Sequence, residues 1–129
     1  MRTFAATLFS VLVFSIGLSS SPVFAQNGVV TFKFVNEARY IIYLKFFAQN
    51  RSWVWPSDNM HYLADDSTER AARLACNVGE KICFGGAYRP DGTGTYWGLG
   101  YRGNQSCTNC CLICGTMNDD VSHTWRLTE

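Results

Sequence analysis

Six cysteines in a chain of 129 residues, four of them packed into Cys107-Thr-Asn-Cys110-Cys111-Leu-Ile-Cys114, constrain this fold more than any other feature. The segment holds two C-x-x-C units back to back, and Cys76 and Cys83 complete the set. Such a set either forms three bridges or supplies thiolates to a metal, and the compartment decides which.

The N-terminus speaks for an oxidising compartment. Met1 and Arg2 lead into an uncharged apolar run of fifteen residues, Phe4 to Leu18, followed by small residues and Val23-Phe24-Ala25. A positive start, a short apolar stretch and small residues at the minus-three and minus-one positions make a secretory signal over residues 1–25. The run is also shorter than the roughly 20 residues that a membrane-spanning helix needs. Cleavage after Ala25 leaves a single domain, residues 26–129, with ten Lys/Arg, ten Asp/Glu and no second run of spanning length. The expected location is therefore secreted or periplasmic. With charge this balanced, nothing recommends nucleic acid as a partner.

In an exported chain an even cysteine count reads as disulfides, here three. A bridge between the adjacent Cys110 and Cys111 would strain the peptide joining them, so each is expected to seek another partner. The pattern we expect sends Cys76 and Cys83 each to one member of the cluster and leaves one bridge inside it. Each bridge contributes about 2 to 4 kcal/mol, and a domain of this size needs such staples. The alternative is a zinc site using Cys107, Cys110, Cys111 and Cys114, with Cys83 or His123 available to complete a shell. The second C-x-x-C pair of a zinc ribbon is absent, which favours bridges, and no other cofactor is indicated.

The rest of the chain reads as all-β. Val30, Phe32 and Phe34 alternate with Thr31 and Lys33, the period of a half-buried strand, and a turn is expected over Asn36 to Arg39. Tyr40 to Ala48 is apolar on both faces, as in a central strand. Trp53-Val54-Trp55 is a short strand stopped by Pro56. Asp65 to Cys76 is ambiguous: Asp66 with Glu69 could cap one short helix, whereas alternation of Ala72 and Leu74 and the turn Asn77-Val78-Gly79-Glu80 favour a strand in a hairpin with Lys81 to Tyr88. Lys81 to Tyr88 and Thr95 to Tyr101 should then pair about Gly92, with Gly86 facing Gly98 and Phe84 facing Gly100. Val121 to Leu127 supplies a last strand. Six or seven short strands make a small antiparallel β-sandwich with a C-terminal Cys-rich loop.

Aromatic residues make up 15% of the chain, and seven glycines fall between Gly85 and Gly103 among Phe84, Tyr88, Tyr96, Trp97 and Tyr101. Glycine within a strand marks a bulge or a close approach, and rings laid over glycines compensate for the missing side chains. Rings left exposed would instead form a platform for sugars or prolines. The best local candidates for a ligand-binding surface are Trp53 and Trp55 beside Arg51, with Tyr96 and Trp97 in the glycine-rich hairpin. No catalytic constellation is evident. His61 and His123 stand alone, and Asp65-Asp66 and Asp119-Asp120 lack calcium-loop spacing and read as turn residues. The expectation is an exported, disulfide-stapled binding module whose partner is an envelope glycan or protein outside the cytoplasm. The alternatives are the thiolate zinc protein and a small secreted hydrolase using His61 or His123 with an aspartate.

Overall fold

A computed structural model describes residues 27–129; the expected signal segment lies outside them. The described chain is all-β, with ten short strands and no helix. The strands are β1 (Gly28–Asn36), β2 (Ile42–Ala48), β3 (Val54–Trp55), β4 (Tyr62–Ala64) and β5 (Arg70–Cys76), then β6 (Lys81–Ala87), β7 (Tyr96–Gly98), β8 (Cys111–Ile113), β9 (Gly115–Thr116) and β10 (Ser122–Leu127).

They form two sheets. In the first, β1 is central, with β5 antiparallel on one side and β9 and β10 end to end on the other. In the second, β2 and β6 are central and antiparallel; β3 and β4 share the outer side of β2, and β7 and β8 share the outer side of β6. All pairings are antiparallel except β1 with β10, which run parallel. That exception arises because β9 runs against β1, and the chain then reverses before β10. The reversal follows a turn closed by Asp119, whose carboxylate accepts the Thr116 N–H at 2.7 Å.

Alternation explains the facing surfaces. Val30, Phe32 and Phe34 on β1, Ala72 and Leu74 on β5, and Trp125 and Leu127 on β10 are buried, and so are Ile42, Leu44 and Phe46 on β2 and Ile82 and Phe84 on β6. Rings meet across the gap: Phe32 and Phe46 lie 4.8 Å apart, Phe34 and Phe84 5.0 Å, and Phe84 and Trp125 5.1 Å. Such edge and tilted contacts add to the area that each ring removes from water. Buried Asn36 closes the expected turn, donating to the carbonyls of Tyr40 at 2.6 Å and Ala64 at 2.7 Å while accepting the Ala38 N–H at 2.9 Å.

The bridges follow the expected pattern: Cys76–Cys114, Cys83–Cys111 and Cys107–Cys110. Three disulfides in so small a module point to an oxidising extracellular or periplasmic environment.

Within the ambiguous stretch Asp65 to Cys76 the favoured strand forms, as β5 over Arg70–Cys76; Asp66 accepts the Thr68 N–H at 2.9 Å in the turn before it and starts no helix with Glu69. Other local expectations are corrected. The turn at Asn77 to Glu80 exists, with Glu80 N–H donating to Asn77 O at 2.9 Å. It does not make a hairpin, because β5 pairs with β1 and β6 pairs with β2, so the turn carries the chain from one sheet to the other. Thr95 to Tyr101 contributes only the three residues of β7. Its register differs by one from the symmetric turn about Gly92: Gly85 faces Gly98 and Gly86 faces Trp97.

The connection from β6 to β7 therefore spans Tyr88 to Thr95, and the chain after β7 folds back over the sheet. At Gly98 (φ +57°) it turns away, and a side chain there would strike the Phe84 ring. At Gly85 a Cβ would collide with the Gly100 carbonyl, so glycine is what lets the following loop lie directly on β6.

Candidate functional site

The edge beside β3 is built by the turn Gln49–Ser52. Gln49 N–H donates to Lys81 O at 2.9 Å and Ala48 N–H to Trp53 O at 3.0 Å, which fixes the return of the chain from β2. The turn delivers Arg51 to Glu80, whose buried carboxylate accepts from Nε at 2.5 Å and from the terminal guanidinium nitrogen at 3.1 Å. A two-point pair of this kind holds the guanidinium in one plane. The guanidinium then lies 4.6 Å from the Trp53 ring centroid and 5.8 Å from that of Trp55. The two indoles meet edge-on with centroids 6.2 Å apart.

Trp55 pairs with Phe46 and packs against the core, whereas Trp53 is 44% exposed. Trp53 stands as a ridge between two grooves. One, of 450 Å³, runs past Phe47, Gln49, Arg51, Asp58 and Arg102; the other, of 290 Å³, runs past Ser52, Pro56, Ser57 and Asp58. Arg51, Trp53 and Trp55 thus come together, although Trp53 precedes the two-residue β3 rather than sharing a strand face with Trp55.

Tyr96 and Trp97 do not join them, since β7 lies beyond β6 while β3 lies beyond β2. The Trp97 indole N–H is used internally, donating to Thr128 O at 2.7 Å. Tyr96 is 46% exposed and lines a separate groove of 250 Å³ with Gly92, Gly94, Tyr101 and Arg102. Three of the seven glycines of this segment pack against rings: Gly98 with Phe84, Gly103 with Phe47 and Gly94 with Tyr88.

Sequence reading missed Lys45 and Tyr101. Lys45 is 6% exposed, donates to Asp58 O at 2.5 Å and lies 4.4 Å from the Tyr101 ring centroid. The signal was available as the one charge inside an otherwise apolar strand. Glu80 was likewise visible only as a turn residue, and its role needs the sheet-to-sheet crossing that places it beneath Arg51.

The histidines are separated. His61 Nδ1 lies 3.1 Å from the Tyr101 hydroxyl, with its ring against Tyr43, and His123 packs on Trp125 at 4.5 Å. Among the described residues neither makes a hydrogen bond or ion pair with a carboxylate. Each aspartate pair serves its own turn: Asp65 and Asp66 hold Arg70 at 2.9 and 3.1 Å. Asp66 lies below the usual carboxylate range, chiefly through the Thr68 N–H, and Asp119 does so through the Thr116 N–H.

An apolar crevice of 140 Å³ opens between β4 and β5 beside Tyr62, Leu63, Arg70 and Ala72. That is below the roughly 300 Å³ at which small-molecule sites begin. Compared with family models, with curated proteins and with solved structures, the chain matches none.

Proposed function

We propose that this chain is an exported binding module whose ligand is an envelope glycan, held across Trp53. The carrying observation is the exposed indole of Trp53 between two grooves that carry polar side chains, braced by Arg51 on the buried Glu80. A sugar ring offers an apolar face for the indole and hydroxyls for the groove walls, where Gln49, Ser52, Asp58 and Arg102 supply donors and acceptors. Because Arg51 is already fixed by two hydrogen bonds, little side-chain freedom remains to be lost on binding. The open, shallow shape suits a chain of sugars lying along the edge rather than a small molecule enclosed in a pocket.

The test is retention on purified cell-wall and envelope glycans. Trp53→Ala should weaken binding by about 30-fold, the effect of removing an anchor worth roughly 2 kcal/mol. Trp55→Ala should weaken it through loss of the support beneath Trp53. Unchanged retention in both variants, or no retention of the parent protein on any glycan, would overturn the assignment.

A further inference from the structure

The surface at Trp53 leaves the cysteine cluster with no role but bracing, and its bridges are not equivalent. Cys76–Cys114 stands apart, with the Cys114 sulfur beside its own neighbour's carbonyl, Gly115 O. The other two lie side by side. Cys83 and Cys111 are register partners on β6 and β8, and Cys110, immediately before β8, carries the bridge to Cys107. The Cys110 and Cys111 sulfurs are 3.7 Å apart, and those of Cys83, Cys110 and Cys111 all lie within 4.8 Å of one another. Cys107 is covalently joined to Cys110, which brings a fourth sulfur to the margin of this group, and release of that bridge frees its half-exposed side chain to turn inward.

A tetrahedral zinc–thiolate centre with Zn–S of about 2.3 Å has sulfur–sulfur edges of about 3.8 Å. The contact between the two bridges already has that length. The backbone around it is held by the sheet, with Phe84 N–H donating to Cys110 O at 2.9 Å. Cys83 and Cys110 are buried, while Cys107 and Cys111 are half-exposed, which gives a reductant and an ion a way in.

We propose that Cys83, Cys107, Cys110 and Cys111 form a zinc site when their two bridges are reduced, and lose it when a disulfide oxidant restores the bridges by the reverse exchange. This quartet differs from the one that spacing alone selects, because Cys114 is committed to Cys76 and Cys83 takes its place. The reductant is a dithiol. One of its thiolates attacks the half-exposed Cys107 sulfur and expels the Cys110 thiolate; its second thiol resolves the mixed disulfide, releasing Cys107 and leaving the dithiol as a disulfide. A second dithiol reduces Cys83–Cys111 in the same way, attacking at Cys111. Each bridge takes up two electrons and two protons, and Zn²⁺ then displaces four protons to solvent as the thiolates bind. Four soft donors in a closed tetrahedral set select zinc over the hard divalent ions.

The experiment uses the exported protein, fully oxidised and after treatment with a dithiol, with Zn²⁺ as the probe. The oxidised form should take up none, and the reduced form one equivalent. Alkylation of the zinc-loaded protein, mapped by mass spectrometry, should spare Cys83, Cys107, Cys110 and Cys111 until a chelator is added. Co²⁺ in place of zinc should show the d–d bands of a tetrahedral thiolate complex, retained in the Cys76→Ser/Cys114→Ser double variant and weakened at least tenfold in Cys83→Ser. Far-UV circular dichroism of the reduced, zinc-loaded parent should keep its β signature. No uptake after reduction, protection of a set that includes Cys114 in place of Cys83, or binding only to unfolded chain would each overturn the proposal.

Discussion

Glu80 is the residue on which the Trp53 surface depends. Its carboxylate is buried and takes two hydrogen bonds from Arg51 and one, at 3.3 Å, from Asn77 N–H. Removing its charge leaves a partly buried guanidinium without its partner. Glu80→Gln should therefore cost about 1–3 kcal/mol in denaturant unfolding and weaken glycan retention, whereas loss of the exposed Arg39–Glu129 pair should leave retention unchanged. That second pair has its own signature. Glu129 is held at about 2 against an ordinary 4.5, first by the Arg39 side-chain hydrogen bond. A carboxylate depressed in the folded state stabilises fully above its ordinary value and loses that contribution as pH falls through about 2, so the tie of the C-terminus weakens only between those limits. An NMR titration of the Glu129 carboxyl should show the low midpoint, and Arg39→Ala should return it toward 4.5.

At the scale of elements, β6 and the loop that folds back over it form one unit. A side chain at Gly85 would collide with the Gly100 carbonyl, and backbone cannot yield as a flexible side chain can. Gly85→Ala should destabilise by about 1–3 kcal/mol, read as a lower Tm with the disulfides intact; an unchanged Tm would mean that the loop does not rest on β6. The same elements show how much was legible in the sequence. Period-two burial in β1, the two-faced apolar run of β2 and the general pattern of the bridges could be read because each depends on local alternation or on covalent limits; which cluster members take Cys76 and Cys83 could not. The Gly85–Gly98 register could not, because the turn at Gly92 sits inside a longer loop and nothing local fixes where pairing resumes. For Asp65 to Cys76, helical propensity favoured the wrong state locally, and pairing of Arg70–Cys76 with Gly28 to Phe34 of β1 decided for the strand. Of the site, Arg51, Trp53 and Trp55 were legible as sequence neighbours, although only Trp55 lies within β3, but Glu80 and Lys45 enter through contacts with residues distant in sequence.

For the whole molecule, the decisive place is the corner where the chain changes sheets. Of its four changes of sheet among the described residues, two meet here, at Asn77–Glu80 and at Cys114 between β8 and β9, and they are tied by Gly79 N–H to Cys114 O and Cys114 N–H to Glu80 O, both 2.8 Å, and by the Cys76–Cys114 bridge. Glu80 belongs to this corner and also anchors Arg51, so the staple between the sheets and the binding edge share a residue. The bridges should therefore differ in consequence. Cys76–Cys114 closes a separation of 38 residues, worth about 4 kcal/mol by loop entropy. Cys107–Cys110 closes only 3, worth about 1.6 kcal/mol. Cys76→Ala/Cys114→Ala should lose the larger amount, raise hydrogen exchange at the Gly79 and Cys114 amides, and weaken glycan retention with Trp53 untouched. Cys107→Ala/Cys110→Ala should lose the smaller amount and keep both retention and protection at the corner. If the two double variants bind glycan equally well, the edge does not draw its rigidity from the corner, and Glu80 serves Arg51 through its local turn alone.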